Sequence, residues 1–206
     1  MTAITRRSVM TLFSVPTDLH SHRVRVVLFE KDIVVEIEDV NPNALPAEVL
    51  EVNPSETMPT LVDRELVLYD SRVICEYLDE RFPHPPLMPI DPLSRAQARL
   101  ALYHIENDWY PLAHQLETAG EKKRTEARKQ LREHLTNSAE IFGAKPFLFS
   151  EEFSMIDVTI APLLWRLPKY GVDLPAKAKP INEYAERIFK RDGFSASLTE
   201  LEREMR

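Results

Sequence analysis

Residues 55–71 read S-E-T-M-P-T-L-V-D-R-E-L-V-L-Y-D-S, and this stretch constrains the fold more sharply than any other. Two short β-type runs, residues 60–62 and 66–69, flank a polar Asp63-Arg64-Glu65 turn. That pattern predicts a hairpin. Pro59 stands directly before the first run. A proline cannot donate to a sheet ladder, so it belongs at a strand start or an edge. A helix is predicted straight after the second run, with Ser71 as its N-cap and Val73, Ile74, Tyr77, Leu78 and Phe82 at helical spacing.

The chain before the hairpin reads as strand, helix, strand. Residues 9–14 form a short apolar run, Pro16-Thr17-Asp18 breaks it, and Asp18 is placed to cap a helix whose apolar face carries Val24, Val27 and Leu28. Residues 33–37 are a second strand, and a strand-helix-strand order implies a right-handed crossover and a parallel pair. After residues 41–46 there is room for one helical turn at 47–52. The order β-α-β, loop with a short helix, β-β-α matches a thioredoxin-like domain ending near Phe82.

Residues 83–89 hold four prolines in seven positions, which forbids helix and marks a boundary. Asp91-Pro92 then offers an N-cap with proline at the first helical position. A long helix is expected to about Glu117, with Leu100, Tyr103, Trp109 and Leu112 on its apolar side and a bend at Pro111. A second is expected over 121–142. Ser154-Met155-Ile156-Asp157 is a capping-box pattern with Asp in place of Glu or Gln, and the helix after it, to about Lys169, is nearly all apolar. A helix apolar all round is a buried central one. Two more helices, 180–190 and 197–206, are expected on either side of Gly193. The resulting division is 9–83, a proline-rich linker at 84–92, and an all-helical domain at 93–206.

Charge and cysteine content narrow the function classes. The net charge is −7, which disfavours binding to nucleic acid or membranes as the main business. One cysteine excludes an internal disulfide and suits a reducing cytoplasm. Cys75 shares a helix with Leu78 and Phe82 and reads as a packing thiol. The six histidines show no metal spacing, and no glycine-rich phosphate loop exists. Arg6-Arg7 faintly resembles a twin-arginine signal, but the apolar run after it is too short, and a basic tail is the expectation. Lys122, Lys123, Arg124, Arg128, Lys129 and Arg132 form a basic run broken by glutamates, which reads as a solvated helix face.

Taken together, the thioredoxin-like order, Met58-Pro59-Thr60-Leu61, Asp70-Ser71 and the Ser154-x-x-Asp157 box resemble the cytosolic glutathione transferase fold from residue 9 to the C-terminus. Within that superfamily, S-H-R-V-R-V-V-L-F-E-K, E-Y-L-D-E-R-F-P-H-P-P-L-M-P, A-P-L-L-W-R-L-P and S-L-T-E-L-E-R-E-M-R resemble the bacterial stringent starvation protein A family. The resemblance implies a non-catalytic protein that associates with RNA polymerase holoenzyme and its primary sigma factor during starvation. It also implies a homodimer, or a heterodimer with a paralogue, and no cofactor. It places the family's surface segment on Pro83, His84 and Pro85, which would otherwise read as a stiff linker.

The same resemblance locates a glutathione site. Ser71, at a helix N-terminus rich in free N–H groups, stands where the γ-glutamyl carboxylate would sit. Met58, before the family's cis-proline at Pro59, stands where the cysteinyl part would pair with the backbone. The thiol-activating position falls at Asp18, or at Thr17 if the alignment shifts by one residue. A carboxylate only accepts hydrogen bonds and raises the pKa of a neighbouring thiol, so Asp18 argues against transferase chemistry. A glutathione transferase, a glutathione-dependent reductase and a glutathione-binding scaffold are the rival readings.

Overall fold

The computed structural model describes residues 9–206. It divides into two compact units. The first comprises the described residues up to Pro85 together with 192–204, and the second comprises 86–191 with 205–206.

The first unit is built on a four-stranded sheet of β1 (Thr11–Ser14), β2 (Glu36–Asp39), β3 (Thr60–Asp63) and β4 (Leu66–Leu68), in the order β2-β1-β3-β4. β1 pairs parallel with β2 and antiparallel with β3, and β3 and β4 form the expected hairpin. Every residue of β1 is buried. Phe13 and Val62 on the sheet, with Val15 just past β1, meet Val40 and Val49, and Met58 packs against the cluster. The helices are α1 (Leu19–Glu30), α2 (Ala47–Val52) and α3 (Ser71–Arg81), and α1 packs on α3.

Two local expectations shift. The second strand was expected at 33–37, but it begins at Glu36. The Ile33 amide is spent on the Leu28 carbonyl (2.9 Å) closing α1, so it cannot join a ladder, and Val34 is 87% exposed. The strand that forms, E-I-E-D, is a charged sheet edge, which discourages pairing with another chain. The cap of α3 is Asp70 and not Ser71. Asp70 accepts from the Arg72 and Val73 amides, which frees the Ser71 hydroxyl for other partners.

The second unit contains α4 (Pro92–His104), α5 (Tyr110–Thr118), α6 (Glu121–Asn137), α7 (Ala139–Ala144), α8 (Met155–Trp165), α9 (Leu167–Tyr170) and α10 (Lys179–Phe189). Asp91 caps α4 with Pro92 at its first position, as expected. The single helix expected from 92 to 117 is instead interrupted by a π-helical segment, Ile105–Trp109. Pro111 has no N–H and its ring would strike the carbonyl one turn back, so the turn before it widens. Leu100 and Tyr103 are 58% and 59% exposed and do not face the core, whereas Leu112 does. The helix expected over 121–142 breaks at Ser138, whose hydroxyl takes the His134 carbonyl. The helix after Ser154 stops at Trp165, because Pro168 cannot donate to the next carbonyl in line.

α8 is the centre of this unit, with every residue from Met155 to Leu164 buried. Its capping box forms as read. Asp157 Oδ2 accepts from the Ser154 amide (2.8 Å) and hydroxyl (2.9 Å), and Oδ1 accepts from the Leu148 amide (2.9 Å) and the Tyr184 hydroxyl (2.5 Å). Burial pushes the Asp157 carboxyl up, and these four donors pull the other way.

The C-terminal boundary differs most from expectation. Residues 192–204 form α11 (Asp192–Ser197) and α12 (Glu200–Arg203), which belong to the first unit and not to a helical domain ending at 206. Gly193 does not separate two helices. It lies inside α11, where an added Cβ would come within 2.9 Å of the Glu30 backbone, so its missing side chain lets α11 approach α1. The anchor is Glu202, fully buried, which accepts from Arg25 (2.7 Å) and faces His22 Nδ1 at 3.3 Å. A segment with this buried charge must stay where its counter-charges are.

Candidate functional site

The two ends of α3 carry the two candidate surfaces. The helix is 11 residues long, so at about 1.5 Å per residue they lie roughly 16 Å apart along it.

At the N-terminal end, the polar glutathione-site positions are largely committed to neighbouring residues. Asp18 caps α1, its Oδ2 accepting the Ser21 amide at 2.6 Å. Thr17, half-buried, immediately precedes it. The Ser21 hydroxyl accepts from the Val15 amide (3.1 Å). The Ser71 hydroxyl accepts from buried Arg23 (Nη2, 2.6 Å) and lies 3.0 Å from His20 Nδ1. Although the His20 residue is partly open to solvent, its ring loses hydration against its neighbours, and this lowers its pKa; the charge of Asp18 opposes the shift. With Nδ1 of a neutral His20 accepting, the only hydrogen of the Ser71 hydroxyl is also used. A carboxylate arriving at Ser71 would have to displace one of these partners.

Asp70, beside Ser71, is engaged in the same way. It accepts from Arg72 Nε (3.1 Å) and Nη2 (2.8 Å) as well as from the backbone. The Arg72 hydrogen bond is the main reason its pKa falls from 3.8 to about 2. A depressed carboxylate contributes stability that is present above its unfolded pKa and lost as pH falls through the folded one. Below about pH 4 the melting temperature of Asp70→Asn is therefore expected to fall less steeply than that of wild type, the difference closing near pH 2. Parallel slopes for the two proteins in pH-dependent thermal melts would refute this.

Met58-Pro59 is a cis peptide, as the resemblance implies. Met58 is partly buried against the sheet cluster, and no hydrogen bond among the described residues uses its main-chain groups. Pairing capacity at Met58 thus survives, whereas the hydroxyl at Ser71 and the carboxylate at Asp18 are occupied. Cys75 is buried, in keeping with a packing thiol.

At the C-terminal end of α3, Pro83, His84 and Pro85 are all exposed, followed by buried Leu87 and Met88. The segment is held from beneath. The ammonium of Lys31, whose side chain is wholly buried, donates to the carbonyls of Phe82 (2.7 Å) and Pro85 (2.5 Å) and to Asp79 Oδ1 (2.8 Å). An ammonium has three hydrogens, and each has an acceptor here. Two carbonyls of the segment are drawn inward, and the rings of residues 83–85 face solvent. Sequence reading missed Lys31, Asp79, His20 and Arg23. Their partners lie about fifty positions away in the chain, and no local pattern flags such pairs. The Arg6-Arg7 pair of the twin-arginine resemblance lies outside the described residues.

Residues 19–81 match the glutathione S-transferase N-terminal domain family, and residues 107–187 match the corresponding C-terminal domain family. The Pasteurella multocida stringent starvation protein A homolog is 51% identical, covering 95% of this chain and 93% of that protein. The Coxiella burnetii stringent starvation protein A homolog is 46% identical over 98% and 97%. Among solved structures, glutathione transferase Omega 3C from Trametes versicolor superposes with a TM-score of 0.82 at 24% identity, covering 95% of this chain and 87% of that one, which establishes likeness of fold. Among the described residues no helix is long and apolar enough to cross a membrane.

Proposed function

The chain belongs to the stringent starvation protein A family of the glutathione transferase superfamily, and from that membership we propose that it is a non-catalytic transcription regulator that binds RNA polymerase holoenzyme, with the primary sigma factor as a contact. The observation that carries the reading is the fixed display of Pro83, His84 and Pro85 over Lys31. A surface whose backbone is already restrained loses less entropy on docking. The reading implies a cytoplasmic protein acting through a protein partner, in keeping with a net charge of −7 that repels DNA.

The rival is an enzyme using glutathione. Asp18 opposes it, since a carboxylate already accepting the Ser21 amide has no proton to offer a thiolate. A glutathione-binding scaffold keeps support from Met58 and cis-Pro59. One experiment separates the three: purified protein and its Pro83→Ala/His84→Ala/Pro85→Ala variant are passed over immobilised polymerase holoenzyme and, in parallel, immobilised glutathione. The expected result is polymerase retention by wild type, at least about tenfold weaker in a variant with an unchanged melt. Equal retention of a normally folded variant would reduce residues 83–85 to a linker. Capture by glutathione together with conjugation of a standard electrophile well above the uncatalysed rate would favour the enzyme.

The same reading includes a two-fold homodimer. Leu93, Leu100 and Tyr103 of α4 are 70%, 58% and 59% exposed at positions that share one helix face, the kind of apolar row an isologous contact covers. Light scattering at micromolar concentration is expected to give twice the chain mass. A monomer mass would contradict it, and Leu100→Glu is expected to convert dimer to monomer.

A further inference from the structure

We propose that the second unit carries a pocket for a small phosphate-bearing ligand, between α6 and the turn at 171–177. The cavity there is about 680 Å³, within the range of small-ligand sites. Arg128, Lys129 and Arg132 reach it from α6, and Lys177 reaches it from the 3-10 turn Ala176–Ala178. The basic run that reads in sequence as a solvated face thus converges in part on a concavity. Arg128 and Arg132 are one helical turn apart, where like charges repel. Among the described residues none of these four cations forms an ion pair within 4.0 Å. Two carboxylates, Glu133 and Asp173, also line the cavity, so cations outnumber them two to one.

The Arg128 side chain is positioned from the far wall. Its Nε donates to the Tyr170 carbonyl at 2.9 Å. The next residue, Gly171, has φ +65, and an added Cβ there would sit 3.3 Å from Arg128 Nε. The left-handed turn and the absent side chain together let the guanidinium lie against the backbone. Its shaft is pinned and its two terminal nitrogens remain for a ligand, in the planar fork that suits phosphate oxygens. The size of the ligand follows from the rest of the charge. The chain carries −7 overall, so a long polyanion is repelled outside the cavity, while a small one inside it meets the lining cations with little screening, the Debye length being about 8 Å at physiological salt.

Titration calorimetry of the full chain with sodium pyrophosphate tests this. We expect binding that weakens as salt rises from about 50 to about 200 mM. Arg132→Gln/Lys177→Gln, at two exposed residues whose side chains hold no other element in place, is expected to weaken it at least about tenfold with an unchanged melt. Arg128→Lys, which keeps the charge and loses the fork, is also expected to weaken it. Lys122→Gln/Lys123→Gln, on the same helix outside the cavity, is expected to leave it unchanged. Adenosine diphosphate in a second arm distinguishes the source: binding at least as tight as pyrophosphate supports an organic phosphate ester, and exclusion beside pyrophosphate binding supports an inorganic polyphosphate. No binding of pyrophosphate overturns the proposal. So does equal weakening by Lys122→Gln/Lys123→Gln, which would mean diffuse attraction, or binding of a DNA duplex where pyrophosphate fails.

Discussion

Replacing Lys31 with methionine is expected to lower stability by about 3–5 kcal/mol, because it leaves Asp79 as a nearly buried charge without its ammonium and abandons two carbonyls. For a protein of this size that corresponds to a fall in Tm of roughly 6–20 °C. The functional consequence is separable from the energetic one. In Lys31→Met/Asp79→Asn the Asp79 charge is removed as well, so much of the stability should return. The carbonyls of Phe82 and Pro85 stay unheld, so residues 83–85 should move freely and bind polymerase holoenzyme more weakly than wild type. A Lys31→Met protein that melts within about 1 kcal/mol of wild type would defeat the energetic argument. A double variant that is folded and binds polymerase as well as wild type would defeat the idea that Lys31 sets the display.

The second large effect is expected at Glu202→Ala. Glu202 is fully buried and accepts from Arg25, which itself donates to the Ser14 hydroxyl (2.5 Å) and the Ser197 carbonyl (3.0 Å). It also closes a capping box with Thr199, accepting that residue's amide at 3.1 Å. Truncation leaves the Arg25 charge without its counter-ion beside His22, again about 3–5 kcal/mol. The loss should appear as faster amide exchange in α1, α11 and α12. Arg25→Met/Glu202→Met removes both charges and should recover a large part of the stability, since apolar pairs of similar volume often replace buried ion pairs without penalty. If Glu202→Ala melted with wild type, residues 192–204 would be a tail on the first unit and not part of its core.

These residues also mark where sequence reading stops. Asp18, Asp91 and Ser154 were legible as caps, because a cap bonds to amides two or three positions away and its signal is local. The hairpin after Pro59 was legible from its alternation and turn, and the buried α8 from its unbroken apolar run. Those signals, in order, were enough for the fold and, by resemblance, for the family. Where local preferences competed, reading failed by a residue or a turn: Ser71 for Asp70 as cap, 33–37 for Glu36–Asp39 as strand, one helix for the π-interrupted pair before Pro111. For the strand both alternatives suit the local chain, and the β1 register that sets Glu36 opposite Thr11 chooses between them.

What tertiary structure alone decided is which polar groups meet. Arg23 takes the hydroxyl of Ser71, Lys31 holds Phe82 and Pro85, Arg25 reaches Glu202, and Arg128 lies against Gly171. Each pairing joins residues far apart in the chain, 177 positions in the case of Arg25 and Glu202. Periodicity and capping extend over a few residues, so they determine which helices and strands exist and which faces are apolar. A buried charge gains its energy from one specific partner at hydrogen-bond distance, and that distance exists only after the elements have packed.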